Sequence, residues 1–170
     1  STTLFNFLGP LCNPAGAPYQ VLGVGKEGFA WKIANALFEL KPRRAIVVRG
    51  EDGLDEVSLS APTQVLLVEP SGITQLTWTP ATFGLSMIDA KDLLVNTAAD
   101  SAAMIRLVLS GAHSAARDIV VANAAAGIWL VGLEHDLMAA RRRCERAIDN
   151  GSASQVLQRL AAMTHQDPEA

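Results

Sequence analysis

The chain has 170 residues, of which 49% are hydrophobic and 5% aromatic, and its formal net charge is -3. That length and apolar content suit one globular domain with a buried core, expected here as a single α/β domain over residues 1–170. The slight acidity supplies no electrostatic reason to bind nucleic acid, and the longest apolar stretch, residues 119–133, is too short for a membrane span of roughly 20 residues. Cys12 and Cys144 lie far apart with no paired spacing. A disulfide framework is therefore not expected, and a reducing, cytoplasmic setting is. His113, His135 and His165 are too dispersed in sequence to suggest a metal cluster. Ser1 is not an initiator methionine, and patterned sequence begins by Leu4. The chain is therefore expected to be a piece of a longer polypeptide, although removal of an initiator methionine would leave the same end.

Residues 4–16 form an irregular segment with turn signals at Gly9-Pro10 and at Asn13-Pro14-Ala15-Gly16. Residues 19–24 are a short apolar strand. A helix is predicted over 27–40, where Phe29, Ile33, Ala36, Leu37 and Leu40 share one face, and Lys41-Pro42 ends it. Residues 44–48 are a second strand, apolar almost throughout, as a buried parallel strand should be. Together these make a βαβ unit with a right-handed crossover. Short strands over 57–59, 65–68 and 73–79 read as a β-meander, followed by a linker. Helices are predicted over 101–109, 115–131, 137–148 and 153–163, with Gly111, Gly132 and Gly151 at their C-terminal ends. Arg141, Arg142, Arg143 and Arg146 sit in the later turns of a helix opened by Glu134 and Asp136, and read as a solvated face. The fold class is thus α/β: a partly parallel sheet flanked by helices, with a βαβ unit, a short meander and a C-terminal helical layer.

Two motifs carry chemistry. The run Gly50-Glu51-Asp52-Gly53-Leu54-Asp55-Glu56 puts four carboxylates within six residues directly after a strand. On spacing alone it reads first as an acidic surface turn; the sharper reading is a site for a hard divalent cation that prefers oxygen ligands. Gly23-Val24-Gly25-Lys26-Glu27-Gly28 is a literal G-x-G-x-x-G between a strand and a helix. It could hold a dinucleotide, with Glu51 or Arg49 facing the ribose. Against this, Glu27 would place negative charge where a pyrophosphate sits at a helix N-terminus.

The segment Phe5-Asn6-Phe7-Leu8-Gly9-Pro10-Leu11-Cys12-Asn13-Pro14-Ala15 resembles a signature of the anthranilate phosphoribosyltransferases. The resemblance continues through Gln20-Val21-Leu22-Gly23-Val24, Arg44-Ala45-Ile46-Val47-Val48 and the acidic run. It resumes at Arg117-Asp118-Ile119-Val120-Val121-Ala122-Asn123-Ala124-Ala125 and at Ala147-Ile148-Asp149-Asn150-Gly151. It implies a fragment of the large domain shared with the nucleoside phosphorylases. It also implies transfer of a phosphoribosyl group from phosphoribosyl pyrophosphate to anthranilate, giving N-(5-phosphoribosyl)anthranilate and pyrophosphate, in tryptophan biosynthesis. On the same resemblance Asp55 and Glu56 would hold Mg2+ against the pyrophosphate, whose departing charge the ion stabilises. Adjacent residues of an extended strand point to opposite faces, so the pair must sit in a turn or serve different ions or waters. Gly9, Pro10, Asn13 and Pro14 would border the acceptor pocket. Asn6 and Asn123 are expected to be hydrogen-bonded structural residues.

The sequence also departs from that family. Arg49 stands where histidine is frequent, and residues 95–102 lack the family's Gly-Gly-Asp-Pro-x-x-Asn-Ala element. The family's N-terminal helical domain, Gly-Thr-Gly-Gly-Asp loop and Lys-His-Gly-Asn-Arg segment do not occur in these 170 residues. The resemblance therefore implies that this chain alone is inactive, and that the intact enzyme is a homodimer formed largely through the helical domain. Two other readings stand beside it: a non-catalytic, nucleic-acid-binding paralogue of the same fold, and an NAD(P)-dependent oxidoreductase built on Gly23 to Gly28. Pyrimidine nucleoside phosphorylases share the architecture but fit the Asn-Pro and Asp-Glu motifs less well.

Overall fold

A computed structural model describes residues 9–12 and 16–164. Four strands form an open mixed sheet in sequence order: β1 (Tyr19–Gly23), β2 (Arg44–Gly50), β3 (Thr63–Glu69) and β4 (Gly72–Trp78). β1 and β2 run parallel and are joined through helix α1 (Ala30–Leu40), whereas β2–β3 and β3–β4 are antiparallel. Four helices follow: α2 (Ala98–Leu109), α3 (Ala115–Leu130), α4 (Leu137–Asp149) and α5 (Ser152–Thr164). Short 3-10 turns occupy Gly9–Cys12, Pro80–Phe83 and Ala90–Leu93.

β2 is apolar on both faces because both faces are covered. Ala45 and Val47 pair with Val68 and Leu66 and pack under Ile33, Ala34 and Leu37 of α1. Ile46 and Val48 pair with Leu67 and Val65 on the other side, in the same core as Ala122, Ala125 and Ala126 of α3 and Ala140 of α4. Those four alanines are fully buried, and their small side chains let the helices lie close to the sheet. Trp78, at the end of β4, sits edge-on to both Phe83 and Trp129, with ring centroids 5.6 and 5.4 Å away. Such pairs contribute about 0.5–1.5 kcal/mol each beyond their buried area.

The helix ends follow from local chemistry. Ser114 and Asp136 accept from the N–H groups of Arg117 and Ala139 and so cap α3 and α4. Gly111, Gly132 and Gly151 all adopt positive φ just beyond a helix C-terminus, as predicted. Lys41 closes α1 at φ 54°, its N–H donating to the Phe38 carbonyl. Arg44 reaches from β2 to the carbonyls of Trp129 and Leu130, so its positive charge meets the negative end of α3, and it pairs with Glu69 at 2.9 Å.

Three expectations are corrected. Residues 57–59 are buried but form no strand, because their main-chain groups are taken outside a ladder: Asn123 takes both those of Val57, Thr63 Oγ1 accepts from Ser58 N–H, and the Leu59 carbonyl accepts from Ile88 N–H. Helix α1 begins at Ala30 instead of residue 27, since Gly28 lies at φ 76° outside the helical region. Helix α2 begins at Ala98, three residues before its predicted start, because Thr97 and Asp100 form a capping box. No helix among the described residues is long and apolar enough to cross a membrane.

Candidate metal and substrate site

Residues 51–62 carry β2 into β3 at the end of the parallel strand pair, and the acidic run opens this loop. Gly50 N–H donates to the Leu54 carbonyl at 2.8 Å and Gly53 N–H to the Gly50 carbonyl at 3.0 Å, with Gly53 at φ 91°. Glu51 N–H donates to the Pro62 carbonyl at 2.9 Å, which ties the start of the loop to its end.

The acidic residues then divide by direction. Asp52 turns inward across the loop. Its Oδ2 accepts from the hydroxyls of Ser58 and Ser60, each at 2.6 Å, and its Oδ1 accepts from Leu54 N–H at 3.2 Å. Burial pushes the Asp52 carboxyl up, but the two serine hydroxyls and the amide N–H outweigh it and hold the group below its ordinary value. Ser58 Oγ also accepts from the N–H groups of Ser60 and Ala61 at 3.0 and 3.2 Å, so one carboxylate organises the whole turn.

Asp55 and Glu56 turn outward. Both are exposed, both lie in one bend, and neither side chain has a hydrogen bond or ion pair among the described residues. No arginine or lysine among the described residues pairs with them to offset their charge. Their backbone is held from two sides. The Asp55 carbonyl lies against β1 where Gly23 leaves room: a Cβ there would stand 1.6 Å from that oxygen. After Glu56, Asn123 of α3 grips Val57, accepting from its N–H at 2.8 Å and donating to its carbonyl at 3.0 Å.

This donor set suits Mg2+. Two free carboxylates are what that ion commonly takes from a protein, with substrate oxygens and water completing its shell. Among the described residues no group of three or more His, Cys, Asp or Glu comes together, so a closed all-protein site has no support.

Two cavities flank the loop. One, of about 450 Å³, is apolar and walled by Met104, Val108 and Ile119, with Leu54 and Glu56 on its lining. The other, of about 350 Å³, is lined by Trp31, Arg49, Glu51, Gln64 and Thr77. Arg49 Nε is buried there without a hydrogen-bond partner among the described residues.

Gly9 and Pro10 fall in the first 3-10 turn, whose Leu11 packs against the core on the α1 side. No hydrogen bond or ion pair among the described residues joins that turn to the acidic loop. Asn13 and Pro14, like Asn6, lie outside the described residues. Sequence reasoning missed the inward turn of Asp52, for which the alternation of Ser58 and Ser60 was the available signal. Gly23 and Gly25 also belong to the G-x-G-x-x-G run, whose dinucleotide reading is the alternative that Glu27 already weighs against. In the structure the Asp55 carbonyl occupies the space beside Gly23, and a Cβ on Gly25 would stand 3.0 Å from the Gly53 carbonyl.

An open mixed sheet of four strands flanked by five helices is the architecture that this chain has in common with solved structures of known proteins. The chain belongs to the glycosyl transferase family, a/b domain, matched over residues 1–154. It is 42% identical over 160 residues to anthranilate phosphoribosyltransferase of Moorella thermoacetica, covering 94% of this chain and 47% of that protein. It is 44% identical to that of Herpetosiphon aurantiacus, covering 93% and 47%. Its structure matches anthranilate phosphoribosyltransferase of Thermus thermophilus at TM-score 0.84 with 33% identity, covering 95% of this chain and 48% of that one. The enzyme from Saccharomyces cerevisiae in complex with PRPP and Mg matches at TM-score 0.83 with 26% identity, covering 93% and 46%. The chain spans about half the length of the curated relatives it matches.

Proposed function

We propose that this chain is the C-terminal α/β part of a longer polypeptide that transfers a phosphoribosyl group from phosphoribosyl pyrophosphate to anthranilate, in the cytoplasm and as a homodimer. The anthranilate amine attacks the ribose C1 as the bond from C1 to the pyrophosphate oxygen breaks, and the nitrogen then sheds a proton. Asp55 and Glu56 would hold Mg2+. When bound, that ion supplies positive charge to the pyrophosphate oxygens as negative charge develops there. The observation that carries this reading is the outward, unpaired Asp55–Glu56 pair on a loop whose other acid, Asp52, is committed to internal hydrogen bonds. Relatives solved with Mg, with PRPP and Mg, and with 4-fluoroanthranilate support it. Gly9, Pro10, Asn13 and Pro14 would border the acceptor.

The oxidoreductase reading is the weaker one, because the room beside Gly23 and Gly25 is taken by the protein's own loop. Net charge of -3 speaks against the nucleic-acid-binding reading.

The test is transfer to anthranilate by the intact polypeptide, followed as loss of anthranilate fluorescence. It is compared with the Asp55→Asn/Glu56→Gln double variant at saturating Mg2+. Activity with a loss of at least about 100-fold in the double variant is expected, the scale of removing charge stabilisation from a transition state. No transfer by a well-folded intact polypeptide would remove the proposal. The 170 residues alone, free of host enzyme, should give no product.

A further inference from the structure

We infer that Asn123 is a positioning residue for the Asp55–Glu56 pair, acting through the Val57 peptide; the inference rests on the metal role proposed above for that pair. The side chains of Asp55 and Glu56 have no partner among the described residues, so only their backbone aims them. Most hydrogen bonds that shape the loop come from the loop itself or from the β2–β3 hairpin: Gly50, Asp52, Ser58, Pro62 and Thr63. Asn123 ties the loop to α3, and it does so at the residue directly after Glu56.

The chemistry of the tie is specific. A primary amide presents a donor and an acceptor in one plane and so matches both main-chain groups of Val57 at once. Asn123 Oδ1 accepts from Val57 N–H, and Nδ2 gives one proton to the Val57 carbonyl and the other to the Ile119 carbonyl, at 3.0 Å each. The Ile119 bond holds the side chain against its own helix, so the position of α3 is passed to the loop. Val57 is fully buried, so its amide and carbonyl cannot turn to water when Asn123 is removed. The backbone must shift instead, and the adjacent carboxylate shifts with it. Aspartate would keep the shape but turn a second acceptor toward the Val57 carbonyl, and glutamine is one methylene too long.

The test is Mn2+ binding to the intact polypeptide, read from the EPR signal of free Mn2+, which needs no activity. Asn123→Ala and Asn123→Asp are compared with wild type, with Asp55→Asn/Glu56→Gln, and with Leu37→Ala. The last loosens the core on the α1 side, away from the loop. The Asn123 variants should raise the Mn2+ dissociation constant by about 10-fold or more, the range seen when partners of metal ligands are removed. Leu37→Ala should lower the melting temperature and leave the constant unchanged. If Asn123→Ala does not fold, the isosteric Asn123→Asp carries the comparison. Wild-type affinity in the Asn123 variants, with binding lost in the double variant, would show that Asn123 only supports the fold. Wild-type affinity in the double variant would refute the metal reading itself, and the positioning inference with it.

Discussion

Gly23 and the carbonyl of Asp55 occupy adjoining space: a Cβ at position 23 would lie 1.6 Å from the Asp55 oxygen and 2.6 Å from its carbon. Both contacts are with backbone, so no side chain can rotate away. The end of β1 and the acidic loop are thus fitted to each other, and the geometry of Asp55 depends on a glycine 32 positions earlier.

Gly23→Ala should therefore cost more than its neighbours in the same motif. Forcing a methyl group into this contact should destabilise by at least about 1–3 kcal/mol. Gly28→Ala meets nothing within 4 Å and carries only the strain of φ 76°, about 1–2 kcal/mol. Gly25→Ala, with a contact of 3.0 Å, should fall between. Urea unfolding of the three variants ranks them, and a larger loss at Gly28 than at Gly23 would contradict the packing account.

Asp52 gives a pH dependence of known sign. Its folded pKa lies below its unfolded value, so the stability it contributes is present above the unfolded value and is lost as pH falls through the folded one. Asp52→Asn should be less stable than wild type at pH 7 and should show a flatter loss of stability on acidification. Unfolding midpoints across the acid range test this; parallel curves for the two proteins would exclude it.

Arg117 joins two segments that are distant in sequence. It is 3% exposed, donates to the Gly111 carbonyl and pairs with Asp149 Oδ1 at 2.7 Å. Asp149 is about half exposed, so Asp149→Asn should cost only ~1 kcal/mol, the upper end for solvent-screened pairs. Arg117→Met removes the buried donor to Gly111 as well and should cost about 1–3 kcal/mol. Thermal unfolding should place Arg117→Met below Asp149→Asn, and the reverse order would mean that the pair is not organised around the buried guanidinium.

The two cysteines should differ in reactivity. Cys12 is exposed, whereas burial raises the Cys144 thiol above its ordinary pKa, with the Arg143 charge opposing that shift only in part. At pH 7.5 iodoacetamide should label Cys12 first, and mass spectrometry of the partly modified chain reads the order. Equal rates would mean that Cys144 is not protected in the folded protein.

Much of the fold is legible in the residues. Arg44 to Val48 reads as a strand buried on both faces because nearly every residue is apolar, and α1 and the α3–α4 layer do cover the two faces. The glycines at 111, 132 and 151 mark helix ends because the positive φ each adopts is open to few other residues. The acidic run and its place after β2 are likewise local facts, as is the family resemblance. What the tertiary structure decided is which carboxylates serve the fold and which face outward. Asp52 and Asp55 are the same residue type three positions apart, yet Ser58 and Ser60 turn one inward while Gly23 and Asn123 fix the backbone around the other. The same distant partners explain why residues 57–59 form no strand despite an apolar pattern. The main-chain groups of Val57 go to the side chain of Asn123, the Ser58 N–H to Thr63 Oγ1 and the Leu59 carbonyl to Ile88 N–H, and no local propensity encodes a partner that arrives only when α3 packs against the loop.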